Sequence, residues 1–180
     1  MANLLTYPDA IDSWTASNVT VTADQDGVAD RVNDASAAQT GNVTHPNVTN
    51  VPAGSVAVSF RIDKNTNTTR YPAVTLTADG TVAFRVRVNT QTGATAVVEG
   101  AASVTMTDEG AGYWLVRCVG TIATGAIVSL RFQPAPRGDN IATVLDQTSN
   151  TGSALVKNFS LESLSGRGNG RLSLGLGLGL

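Results

Sequence analysis

The chain has 180 residues, a formal net charge of −2 and 14% charged residues, against roughly a quarter in an average globular protein. That length suits one domain with a short appendage, and that charge gives no footprint for a nucleic acid or an acidic membrane surface. A single cysteine and a single histidine exclude an internal disulfide framework and the usual Cys/His structural zinc sites.

From the N-terminus, residues 1–9 have neither a basic start nor a long apolar run, so they do not read as a secretory signal. No stretch approaches the roughly 20 apolar residues of a membrane-spanning helix. Residues 18–22 and 28–32 are strand candidates flanking Asp24-x-Asp26-Gly27-x-x-Asp30. Three carboxylates at a turn admit two readings: a structural calcium, which takes hard oxygen ligands, or an ordinary acidic turn. The spacing lacks the complete EF-hand pattern. Residues 41–45 form a further candidate, ending at His45-Pro46. A catalytic role for His45 has no Gly-x-Ser-x-Gly elbow to support it, so no catalytic residue is expected.

The clearest signal is period-two alternation. Val56, Val58, Phe60 and Ile62 oppose Ala57, Ser59 and Arg61. Val82, Phe84, Val86 and Val88 oppose Ala83, Arg85 and Arg87. Val128, Leu130 and Phe132 oppose Ser129 and Arg131. Leu155, Phe159 and Leu161 are predicted on the side opposite Val156, Asn158 and Ser160. Residues 72–77, 94–99, 102–107 and 113–119 complete the set, with Cys118 in phase with Trp114 and Val116 as a small buried hydrophobe. Asp79-Gly80 supplies the positive φ angles of a tight hairpin, and Pro134 and Pro136 close the strand before them. Many short strands at this spacing predict an all-β antiparallel sandwich of jelly-roll type over residues 1–165.

Residues 166–171 read as a flexible basic linker. In an extended strand the final segment would place Leu172, Leu174, Leu176, Leu178 and Leu180 on one side and serine or glycine on the other. Such a segment is either an inconsequential tail or a docking and assembly strand that adds to a partner; the strict alternation favours the second.

Several segments, in their order along the chain, resemble carbohydrate-binding-module-like jelly rolls of bacteriophage virion proteins. They are Asn3-Leu4-Leu5 with Trp14, the strand from Val19 to Thr22, Asp26-Gly27 with Ala29-Asp30-Arg31-Val32, and Val51-Pro52-Ala53-Gly54 before Val56 to Phe60. Asn89-Thr90-Gln91-Thr92-Gly93, Gly110-Ala111-Gly112-Tyr113-Trp114-Leu115-Val116-Arg117 and Phe159-Ser160-Leu161-Glu162 follow. The chain departs from the pattern at Ser160, where glutamine is usual, and at Asn65 to Thr69, where lysines are expected. The resemblance implies a non-enzymatic protein assembled in the bacterial cytoplasm and displayed on the virion. Its expected role is head decoration, cement or fibre, with other virion proteins as partners and a symmetric homo-oligomer, a trimer by preference. The alternative it leaves open is a tail-fibre receptor-binding module for a host glycan.

A glycan site needs an exposed ring with polar neighbours, because a sugar's apolar face stacks while its hydroxyls seek hydrogen bonds. The candidates are Trp14, Tyr71 and Tyr113. The polar phase of the strands also carries Arg61, Arg85, Arg87, Arg117 and Arg131. On one sheet these would form a cationic contact stripe for acidic glycans or a neighbour's carboxylates; otherwise they form a solvated face.

Overall fold

Valine-rich alternation becomes two antiparallel sheets packed face to face in the computed structural model, which describes residues 3–6, 11–23, 29–36, 38–64, 71–123, 126–136, 141–142 and 151–164. The linker, the leucine tail, Asp24 and Asp26 lie outside the described residues. In chain order the first strands are β1 (Thr15–Ser17), β2 (Thr20–Ala23), β3 (Asp30–Asp34), β4 (Asn42–Thr44), β5 (Val48–Val51) and β6 (Gly54–Asp63). Then come β7 (Ala73–Ala78), β8 (Thr81–Val88), β9 (Thr95–Gly100), β10 (Ala102–Asp108), β11 (Tyr113–Ile122), β12 (Ala126–Gln133) and β13 (Gly152–Ser163). The seven-stranded sheet runs β1-β4-β12-β7-β8-β9, with β5 also paired to β12; the six-stranded sheet runs β10-β11-β6-β13-β3-β2.

The inward phase of both sheets forms one core. Val58, Phe60 and Ile62 of β6 meet Val74, Leu76, Phe84, Val86, Leu130 and Phe132 from the other sheet, all essentially without solvent contact. Aromatics are few but concentrated. Phe159 stacks on Phe60 with ring centres 4.9 Å apart, meets Phe132 edge-on at 5.9 Å and lies 5.0 Å from Trp14. Cys118 is buried as expected, and that burial pushes its thiol up to about 12, which leaves no thiolate for chemistry.

Four sequence expectations need correction. Val82 was expected on the same side as Phe84, but Leu76 pairs with Phe84 and Thr77 with Val82, so an extra residue at Ala83 takes Val82 out of the inward phase. Leu155 was expected inside, but Ala154 and Val156 are the buried residues, and only after a register shift between Lys157 and Ser160 do Phe159 and Leu161 face the core. The cause is a β-bulge, at which Asn158 takes φ 54 and one extra residue swaps the faces. Trp14 was a candidate exposed ring, but it is 4% exposed, packed against Phe159 and edge-on to His45. Arg87 was expected in a solvated stripe, yet it is fully buried. It does occupy the outward phase, in a cross-strand row with Gln133, Ala73 and Ala96. Gln133 and Ala73 are buried too, so that part of the sheet's outer face is covered.

His45 follows β4 and is buried beside Trp14. Its Nδ1–H donates to the Pro46 carbonyl at 2.5 Å, which fixes the tautomer and leaves the lone pair on Nε2, a buried atom. Burial holds its pKa below the usual 6.5, with the Pro46 bond opposing. The unfolded chain therefore takes up a proton near pH 6.5 that the folded chain resists to lower pH. Stability is full above that value, falls as pH drops through 6.5 and levels off below the folded pKa. Urea denaturation from pH 7.5 to 5 should show this slope, and His45→Gln should flatten it; a wild-type midpoint constant over that range contradicts the account.

Candidate functional site

One end of the sandwich gathers the connections β6–β7, β8–β9, β10–β11 and β12–β13, because antiparallel pairing returns every second loop to the same end. Tyr113 and Trp114 begin β11 there, opposite Asp63 and Ile62 at the end of β6. Consecutive residues of a strand face opposite ways, so Trp114 turns inward and Tyr113 outward. Both remain partly exposed. Tyr71 lies at the same end, one residue before Pro72, whose carbonyl accepts the Val88 N–H at 3.0 Å.

Trp114 supports the β8–β9 hairpin. Its Nε1–H donates to the Thr90 carbonyl at 2.7 Å, and its ring lies so close under Gly93 that a Cβ there would come within 2.9 Å of it. Asn89 organises the same turn, its Oδ1 accepting the N–H groups of Gln91 and Thr92 at 3.0 and 3.1 Å. Lys64 Nζ stands 4.9 Å from the Trp114 ring centre. The hairpin is thus held by an indole below and an asparagine within.

The β10–β11 loop is pinned to β6 by two ion pairs. Arg61 binds Glu109 through two hydrogen bonds of 2.6 and 2.9 Å, and Lys64 reaches Asp108 at 2.5 Å. The Lys64 hydrogen bond holds the Asp108 carboxyl below its usual range, helped by the Gly110 N–H. At this exposure such pairs add little stability, but together with the Lys64 N–H to Gly112 carbonyl bond at 2.8 Å they fix the loop that presents Tyr113. Lys157, from β13 across β6, places its ammonium 3.9 Å from the Tyr113 ring centre, a cation–π contact. Beneath it Asp63 accepts the Leu155 N–H at 3.1 Å; burial pushes its carboxyl above the usual range.

The structure therefore brings Tyr113, Tyr71 and Arg61 to one end and divides the remaining arginines. Arg61 and Arg117 belong to the six-stranded sheet, whereas Arg85, Arg87 and Arg131 belong to the other, so no single stripe exists. Arg85 is held by Thr75 Oγ1 at 3.2 Å and by Glu99 at 3.6 Å; Arg131 is exposed. Sequence reasoning did not select Lys64, Lys157, Asp108 or Glu109, whose partners lie on other strands and follow from register alone.

Asp30, the described member of the acidic trio, is 8% exposed, and its Oδ2 accepts the Ile11 N–H at 2.9 Å. It thereby caps the 3₁₀ turn Ile11–Ser13. Among the described residues no three metal-ligating side chains converge. A concavity of about 370 Å³ lies elsewhere, against β2 and β3, and is lined by Asn18, Val19, Thr20, Asn33, Ala35 and Ser36. It has polar groups but no ring.

No family model and no curated protein matches this sequence. Solved structures do match in fold. A family 6 carbohydrate-binding module from Clostridium cellulolyticum, in complex with xylose, aligns at TM-score 0.50 and 15% identity over 86% of this chain and 95% of that one. A β-1,3-glucan-binding family 6 module from Bacillus halodurans aligns at TM-score 0.50 and 11% identity over 85% and 92%. The chain thus has the all-β sandwich fold of family 6 carbohydrate-binding modules.

Proposed function

We propose that this protein is a non-enzymatic binding module that takes a saccharide at its loop end and is displayed on a bacteriophage particle, where it decorates the head. The observation that carries the saccharide reading is the Tyr113 ring. It is partly exposed on a loop end already ordered by Trp114, Asn89 and two ion pairs, with carboxylate, ammonium and guanidinium groups around it to receive hydroxyls. Rigid loops lower the ordering cost of binding. The solved sandwiches of the same fold include modules described as xylose-bound and β-1,3-glucan-binding, which supports the ligand class. The particle reading rests on the order of motifs from Asn3 to Glu162 that resembles virion jelly rolls.

A glycan array followed by calorimetry tests the saccharide reading. Tyr113→Ala should weaken the best saccharide about tenfold, the loss of one stacking contact, with the melting temperature lowered by only a few degrees through the lost Lys157 contact. Ser129→Ala, on the opposite sheet, should bind as the wild type does. Binding unaffected by Tyr113→Ala removes the site, and no binding to any glycan removes the reading. Copy number on intact particles tests the location: hundreds of copies fit head decoration, a handful fit a tail fibre, and none refutes display.

A further inference from the structure

Among the described residues the β9/β10 side of the sandwich is an open seam. Strand β9 is an edge of the seven-stranded sheet and β10 an edge of the six-stranded one, each paired on one side only among the described residues. Three apolar side chains line the gap. Val97 lies opposite the fully buried Val86 and so faces inward, yet it is 39% exposed. Val104 and Met106 point inward from β10, opposite buried Cys118 and Val116, but are only partly covered. Up to Asp108 at its end, the β10 edge has no proline, no charged residue and no register shift against β11 to blunt it.

We propose that segment 172–180 of a second copy adds to the β10 edge as an antiparallel strand, its leucines beside Val104, Met106 and Val97 and its glycines beside Thr105 and Thr107. Residues opposite one another across a ladder share a face. A strict leucine/small alternation therefore matches the apolar/hydroxyl alternation of β10 from Ala102 to Thr107. The antiparallel sense follows from charge and from the rest of the fold. Entry from the far end of β10 brings Arg171 to Asp108, whose side chain is 54% exposed. Every pairing in both sheets is also antiparallel.

Reach selects a second copy over the chain's own tail. Leu164 is fixed by its N–H bond to the Ser55 carbonyl at 2.7 Å. Strand β13 ends level with the start of β10, since Ser163 is opposite Val56, Val56 opposite Gly120 and Gly120 opposite Ala102. From there the new strand position is four spacings away, about 19 Å, and antiparallel entry adds the length of β10, about 20 Å. The straight diagonal is about 28 Å, close to the limit of residues 165–171 pulled taut at roughly 3.3–3.6 Å per residue. A neighbour's tail has no such constraint, and the exchange is a low-cost route to an oligomer.

The inference stands whether or not the loop end binds a saccharide. Its test is sedimentation velocity of the full chain from micromolar to millimolar concentration, with amide exchange across Ser103 to Thr107. Wild-type protein should associate as concentration rises, with protection of those amides rising in parallel. Leu176→Lys, in the tail segment, should weaken association about tenfold or more, and Val104→Lys should do the same from the edge. A monomer over the whole range overturns the proposal, as does association unchanged in Leu176→Lys. So does tail-dependent protection independent of concentration, which would make the chain's own tail the occupant.

Discussion

Phe159→Ala should cost about 3–5 kcal/mol of folding stability, the range for removing a buried aromatic ring. Phe159 is 1% exposed and is the ring that joins the others, stacked on Phe60 and in contact with Phe132 and Trp14. Its position depends on the β13 bulge, so a shorter side chain there leaves a cavity that neighbouring backbone cannot close without undoing the bulge. Domains of this size are stable by only about 5–15 kcal/mol, so the variant should melt some 10 °C or more lower. Phe159→Leu should cost markedly less, since most of the volume remains. Urea denaturation of the three proteins checks this; equal losses for Ala and Leu would mean that the ring cluster does not hold the sheets together.

Gly100→Ala is the second large effect, on the order of 3 kcal/mol from left-handed strain and displaced backbone together. Gly100 ends β9 at φ +70, where the chain leaves one sheet for the other. A Cβ there would lie 2.1 Å from the Ala83 carbonyl oxygen, an atom of β8 backbone rather than a mobile side chain. That carbonyl also accepts the Ala101 N–H at 3.3 Å, so the clash strikes the bond that makes the corner. Gly110→Ala is the matched control: φ is +72, but nothing lies within 4 Å. It should show only the conformational cost, about 1 kcal/mol. Thermal unfolding of both variants separates the contributions; equal melting temperatures would show that the close approach carries no energy.

Most of the sandwich was readable because a half-buried strand writes itself as alternation: β6 and β12 carry it throughout, β8 carries it from Phe84 on, and Asp79-Gly80 makes the turn at φ 50 and 77 that its sequence demands. Short strands left no such trace. Thr15–Ser17 is exposed throughout and Val48–Val51 has no clean period, so both are defined only by their partners β4 and β12. The β13 bulge was invisible because nothing in Lys157-Asn158-Phe159 announces an extra residue. Arg87 shows the other limit, since phase gives the direction of a side chain but not what later covers it. The loop end was half legible. Tyr113 could be found from its outward phase, whereas Lys157 over its ring and Lys64 over Trp114 are products of strand order.

The most direct measurement is a two-dimensional amide spectrum of the protein titrated with the best saccharide from the array. The account predicts shifts at the Trp114 indole N–H, at Gly110 and Gly112 and across Thr90 to Gly93, with Ser129 and Ile127 unmoved. Shifts centred instead on Asn18, Asn33 and Ser36, or on the far sheet, would contradict it.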